Sequence, residues 1–193
     1  MNKTAAVAKI KNFSTKNGVS VNILLTNYFY EAFLQRVSRS SFQKNLIFKG
    51  GFLLSYLVGV QNRSTIDIDF SLRGHTMEWA TIETILLELL SIDIGDEVTF
   101  EISTHEAIRP EDFYGGFSIN LIGHLENIRV PFVVDIATGD PIIPGISTVS
   151  YQPMLISESF PLLAYPMETI LSEKLHTIFS RKTLNSRSKD FYD

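Results

Sequence analysis

The 193-residue chain contains no cysteine. A disulfide framework, a thiolate nucleophile and a thiolate zinc site are thereby excluded, and a reducing, cytoplasmic setting is expected. Its histidines, His75, His105, His124 and His176, are scattered, with no H-x-x-x-H spacing, which argues against a histidine metal centre. Neither G-x-S-x-G nor G-x-x-x-x-G-K-[ST] occurs, so a hydrolase elbow and a Walker loop are both excluded. No apolar run approaches the roughly eighteen residues that span a bilayer. The first residues, Met1-Asn2-Lys3-Thr4-Ala5-Ala6, lack the apolar stretch of a secretory signal. A formal charge of −4 excludes a surface that attracts nucleic acid everywhere. One local basic patch remains: Lys174, Arg181, Lys182, Arg187 and Lys189, with no acidic residue between 174 and 189. It reads either as a solvated helix and loop or as a surface that meets triphosphate or RNA.

What is present is an ordinary globular balance, 45% hydrophobic and 20% charged. Residues 3–16 read as a short helix ending near Gly18. Ser20 caps an expected second helix over 21–37, with Ile23, Leu24, Tyr28, Phe29 and Phe33 as its buried stripe. Leu46-Ile47-Phe48 reads as a strand leading into Gly50-Gly51, and Phe52 to Val58 as a helix. Residues 61–65 form a polar link. Ile66 to Leu72 alternates as a strand with one polar edge. Thr76 is expected to cap a helix over 77–91. Strands are expected at 98–103, 117–122 and 129–136. Residues 138–165 hold four prolines and read as loop with short extended pieces. Pro166 opens a last helix over 166–180. The order implies α+β, a small mixed sheet flanked by helices. Three segments follow: N-terminal helices over 1–44, a core over 45–165, and from 166 to 193 the start of a helical region that reads as cut short.

The chemistry concentrates in two motifs. Lys49-Gly50-Gly51 stands where a strand enters a helix, a place where backbone N–H groups can meet a phosphate. Asp67 and Asp69 flank Ile68, so on a strand both carboxylates share the face opposite Ile68 and can grip a hard cation together. Mg²⁺ suits such a pair, completing its shell with water and phosphate oxygens. Asp135 ends the apolar run Val130 to Val134, where a charge is costly without a cation or donor, and is the candidate third ligand. The competing reading has Asp135 or Asp140 merely making turn hydrogen bonds. Arg63 and Thr65, in the link before Asp67, are candidates for phosphate or ribose contact, or simply polar surface. Lys174 could neutralise β/γ-phosphate charge, and Asp190 could pair with it or with a basic neighbour. A surface ion pair is the plainer alternative for both.

These stretches together resemble the AbiEii/AbiGii-type nucleotidyltransferase toxins. They are Phe48-Lys49-Gly50-Gly51, Arg63 to Phe70, Val134-Asp135-Ile136 with Gly139-Asp140, Tyr165 to Glu168, Ile170 to Leu175, and Lys189 to Asp193. The resemblance implies the polymerase-β-like nucleotidyltransferase fold. It implies Mg²⁺-dependent transfer of a nucleoside monophosphate from an NTP to an acceptor, in this family an RNA such as the tRNA 3′ end. It also implies the toxin of a bacterial toxin–antitoxin pair in abortive phage infection, with a cognate antitoxin as partner. Gly50 and Gly51 match the phosphate-side motif, Asp67 and Asp69 the metal pair, Lys174 the later lysine and Asp190 its downstream aspartate. Two departures stand out: Phe52 follows the glycine pair, and Gly51 occupies a position where many nucleotidyltransferases carry serine. A rival reading is a non-catalytic module that binds NTP or antitoxin. A metal-dependent phosphodiesterase is disfavoured, because no histidine or further carboxylate cluster accompanies Asp67 and Asp69.

Overall fold

A computed structural model describes residues 2–59, 67–108, 115–138 and 141–181. The elements run α1 (Lys3–Asn17), α2 (Val21–Arg39), β1 (Leu46–Lys49), α3 (Gly50–Val58), β2 (Asp67–Leu72), α4 (Trp79–Ser91), β3 (Thr99–Ile108), β4 (Gly116–Leu125), β5 (Ile128–Ala137), β6 (Ser147–Tyr151), β7 (Phe160–Ala164) and α5 (Met167–Arg181). All described strands join one mixed sheet in the order β3-β4-β5-β2-β1-β7-β6. The expected α+β architecture with N-terminal helices is therefore present, on a wider sheet than the sequence suggested.

Period-two alternation decides the faces. Ile68, Phe70 and Leu72 on β2, and Phe132, Val134 and Ile136 on β5, are buried. They meet the apolar side of α2, where Phe33 packs its ring 6.1 Å from Phe70 and 6.3 Å from Phe132. Asp67 and Asp69 alternate with these residues and fall on the opposite face, as strand geometry requires. A buried ion pair fixes α2 to the approach to β3. Arg36 donates from Nη1 to Asp96 Oδ2 at 3.0 Å and from Nη2 to Asp96 Oδ1 at 2.9 Å.

Several elements differ from expectation. The fourth helix starts at Trp79 with Glu78 at its cap. Thr76 instead shares a hydrogen bond with Thr81, Oγ1 to Oγ1, at 3.1 Å. Ser20 holds the cap position of α2 but makes no side-chain capping bond. The proline-rich stretch contains two paired strands, β6 and β7. In β7, Pro161 pairs with Ser150 of the edge strand β6 and lies outside the register with β1, which pairs only Phe48 with Ala164. Pro131 is accommodated similarly on β5, two residues before the β2 ladder begins at Val133.

The loop after β6 is pinned to α2 by a buried acid. Glu31 Oε1 accepts from the Met154 N–H at 2.9 Å and from the Tyr151 hydroxyl at 3.3 Å. Burial pushes the Glu31 carboxyl up to about 8, only partly offset by those two donors. An unfolded glutamate titrates near 4.5, so between these values the folded chain holds one more proton than the unfolded chain. The stabilisation from this group is complete below the lower value and lost as pH rises through the upper one. Glu31→Gln keeps an acceptor oxygen but cannot ionise. The variant is expected to flatten the decline in stability between about pH 5 and pH 8 and to exceed wild type above it. The difference should reach a few kcal/mol at most, since each tenfold change in proton affinity is worth about 1.4 kcal/mol. Thermal unfolding across this range checks it, and superimposable pH profiles would refute it.

Candidate active site

The site begins with register. β1 runs antiparallel to β2 and pairs Lys49 with Asp69. β2 runs parallel to β5 and pairs Asp69 with Asp135. β4 runs antiparallel to β5 and pairs Ser118 with Asp135. Directly paired residues share a sheet face. Lys49, Asp69, Asp135 and Ser118 thus form one polar row across four adjacent strands, on the face away from α2. Asp67, two residues before Asp69, belongs to the same face.

The row brings three acids together. Carboxylate oxygens of Asp67, Asp69 and Asp135 lie within 4.8 Å of one another, each side chain half-buried. At an effective dielectric of about 20, each pair of like charges at that separation repels by on the order of 3 kcal/mol before solvent screening. Such a cluster is suited to a hard divalent cation, which takes oxygen ligands and offsets the charge. Asp135 also has a neutral donor, because the Ser118 hydroxyl donates to its Oδ1 at 2.6 Å.

Gly50 makes this packing possible. Its φ of +76° is in the left-handed region, and a Cβ built there would overlap the carboxyl group of Asp69. The first turn of α3 is consequently laid directly against the acids. Lys49 at its N-cap makes no side-chain capping bond, since an ammonium has no acceptor to offer the first N–H groups. A helix N-terminus is a place where backbone N–H groups can meet an anion.

Lys49 itself turns toward the end of the sheet. Its Nζ lies 3.5 Å from Glu173 Oε1 on α5 and 5.2 Å from the centre of the Tyr165 ring. The neighbouring Tyr165 N–H donates to the Phe48 carbonyl at 2.9 Å. Helix α5 is anchored at its start by Thr169, whose Oγ1 donates to the Ile143 carbonyl at 2.7 Å. Lys174 follows Glu173 on this helix and is half-buried. The structure therefore brings Lys49, Gly50, Asp67, Asp69 and Asp135 together. It sets Lys174 next to the glutamate that meets Lys49. Arg63, Thr65, Asp140, Lys182, Arg187, Lys189 and Asp190 lie outside the described residues.

Two residues at the site have no counterpart among the sequence candidates. Ser118 carried no signal, being one serine in a strand. Tyr30 lies within the helical stripe of α2, buried, with its ring 5.0 Å from that of Phe52. Burial first, and then the negative charges of Asp67 and Asp69, hold the Tyr30 hydroxyl well above its ordinary range. Its polar tip amid an apolar stripe was the available clue.

The sequence profile described as "Nucleotidyl transferase AbiEii toxin, Type IV TA system" matches residues 32–193. The chain belongs to the AbiEii family. No curated protein matches this AbiEii member by sequence. Two crystal structures share its fold. JHP933 from Helicobacter pylori superposes with a TM-score of 0.56 at 15% identity, over 91% of this chain and 65% of that one. A second protein from H. pylori, described provisionally as a nucleotidyltransferase, gives a TM-score of 0.56 at 14% identity, over 91% and 67% respectively. The nucleotidyltransferase-type fold expected from the sequence is thus borne out. The AbiEii chain spans just under two thirds of the JHP933 chain.

Gly50 offers a direct check of this geometry. Gly50→Ala is expected to cost about 1–2 kcal/mol from the left-handed backbone alone, and to displace the Asp69 carboxylate as well. Thermal unfolding with and without Mn²⁺ should show a less stable protein with diminished stabilisation by the ion. Wild-type stability with an undiminished response to Mn²⁺ would contradict the close approach.

Proposed function

We propose that this AbiEii member is a Mg²⁺-dependent nucleotidyltransferase, moving a nucleoside monophosphate from an NTP onto an RNA acceptor such as the tRNA 3′ end. The observation that carries the reading is the convergence of three carboxylates beside a helix N-terminus that only glycine lets approach them. Asp67, Asp69 and Asp135 would hold the metal. When bound, Mg²⁺ supplies charge neutralisation on the attacking and leaving oxygens of an in-line displacement.

The chain's own residues do the rest. The N–H groups opening α3 at Gly50-Gly51 receive the triphosphate, where the helix dipole favours negative charge. Lys49 stands in register beside Asp69 and contributes positive charge at the same edge. Arg63 and Thr65 are assigned to the triphosphate or ribose, and Lys174 to the β/γ-phosphates, with Asp190 as its partner. An acceptor hydroxyl attacks the α-phosphorus and releases its proton to solvent. The new O–P bond forms as the bond to the leaving oxygen breaks, and pyrophosphate departs. In the cell the protein would act in the cytoplasm as the toxin of a toxin–antitoxin pair in phage defence, countered by a cognate antitoxin. Among the described residues no helix is long and apolar enough to cross a membrane.

The test is transfer of labelled nucleotide to RNA. Protein, Mg²⁺, each labelled NTP and total RNA are incubated, with Asp67→Ala, Asp69→Ala and Asp135→Ala alongside. Wild type is expected to label RNA, and each variant to fall to about a hundredth of that rate or less, since each removes charge-stabilising capacity at the reacting centre. Equal labelling by wild type and variants, or none by wild type with any NTP, would sink the reading.

A further inference from the structure

The Asp135 carboxylate is engaged by a neighbour within the sheet. Ser118 and Asp135 are direct partners in the antiparallel β4–β5 ladder, so the backbone itself sets their separation. At 2.6 Å the bond is in the short range typical of a hydroxyl donating to a charged carboxylate. Both residues are half-buried, which limits competition from water. A serine hydroxyl has a single proton, and here it is spent on Oδ1. The next residue in the same row, across the β3–β4 ladder, is the exposed acid Glu106. Ser118 is therefore the neutral donor between two acids, and its bond restrains rotation of the one that faces Asp69.

We infer that Ser118 is a positioning residue for the metal site: by binding one oxygen of Asp135 it fixes the rotamer in which that carboxylate stands beside Asp67 and Asp69. The inference rests on the proposed function, because it assumes that Asp135 ligates the metal. Carboxylates that bind metals are themselves commonly hydrogen-bonded, and removing such a partner typically weakens metal affinity by about 10–100-fold. Without the hydroxyl one restraint on the Asp135 rotamer is lost, and the mutual repulsion of the three acids then favours its moving away. The loss would fall on metal affinity and leave the bound geometry attainable at high metal concentration.

The test titrates Mn²⁺ into the full chain and reads bound ion by electron paramagnetic resonance, without nucleotide or turnover. Ser118→Ala is expected to weaken Mn²⁺ binding at least about 10-fold. Ser118→Thr, which retains the hydroxyl, should remain close to wild type. Ser118→Cys, similar in size with a weak donor, should shift in the direction of alanine, and it replaces Ser118→Ala if thermal unfolding shows that variant not to fold. Transfer activity of the alanine variant should recover as Mg²⁺ is raised, which a purely structural defect would not allow. If Asp135→Ala abolishes Mn²⁺ binding while Ser118→Ala and Ser118→Cys bind as wild type, the positioning role is overturned and the metal site stands. If wild type binds no Mn²⁺ and Asp135→Ala changes nothing, the proposed function fails and the positioning role with it.

Discussion

Three carboxylates confined within 4.8 Å are the constraint around which this fold is arranged. Like charges so close separate unless the backbone prevents it or a counter-charge rewards their staying. Here the backbone fixes the strands that carry them, and side-chain bonds such as Ser118 to Asp135 restrain the rotamers. Asp69 and Asp135 are locked in one register of parallel strands, and Asp67 is one pleat away. A slip of one residue would turn every acid into the core and every core residue outward. The buried row Ile68, Val134 and Ile119 on the other face forbids that slip, because each is fully shielded from water. The aromatic and aliphatic packing against α2 is therefore what holds the charged face in place.

The same constraint explains the start of α3 and the placement of α5. A helix can begin directly against Asp69 only if its first residue has no side chain and tolerates positive φ, which is the situation of Gly50. Close behind comes Lys49, the basic residue of the polar row, paired across the ladder with Asp69. Its ammonium is drawn on to Glu173, so α5 is tied electrostatically to the strand that delivers the glycines. This bond is partly exposed, and pairs of that kind contribute little to stability. Its significance is geometric: it sets Glu173 and Lys174 at the edge of the sheet where β1 ends.

Much of this was legible in the sequence, for reasons that differ by residue. Asp67 and Asp69 could be read because period two is a local property. Asp135 could be read because a charge closing an apolar strand is costly wherever the strand lies. Gly50 drew notice as part of a pair between strand and helix. Ser118 could not be read, since its significance depends on a partner 17 residues away across a hairpin. The Lys49–Glu173 contact is hidden further, spanning 124 positions. Strands β6 and β7 were obscured by the surrounding prolines, and Pro161 itself lies within the β6–β7 ladder opposite Ser150. The early end expected for the third strand had a similar cause, since β3 continues through a register shift between Ile102 and Thr104 that scrambles its alternation.

Phe52 resolves the departure at the glycine motif. A hydroxyl there would offer a phosphate donor, yet Phe52 is directed inward, 7% exposed, with its ring 5.0 Å from that of Tyr30 and 6.2 Å from that of Phe48. Ser55, one turn later, is also occupied, donating its hydroxyl to the Gly51 carbonyl at 2.9 Å. Neither side chain is oriented toward an anion at the helix start. Under the proposed function, phosphate recognition at α3 therefore falls on main-chain N–H groups, and Phe52 serves it indirectly by anchoring the helix to the core. The Tyr30 hydroxyl beside the Phe52 ring is held above its ordinary range, first by burial and then by the charges of Asp67 and Asp69. The aromatic core and the charged site are in this way two sides of one helix N-terminus, which is why a bulky apolar residue can follow the glycines without weakening the case for a nucleotide site.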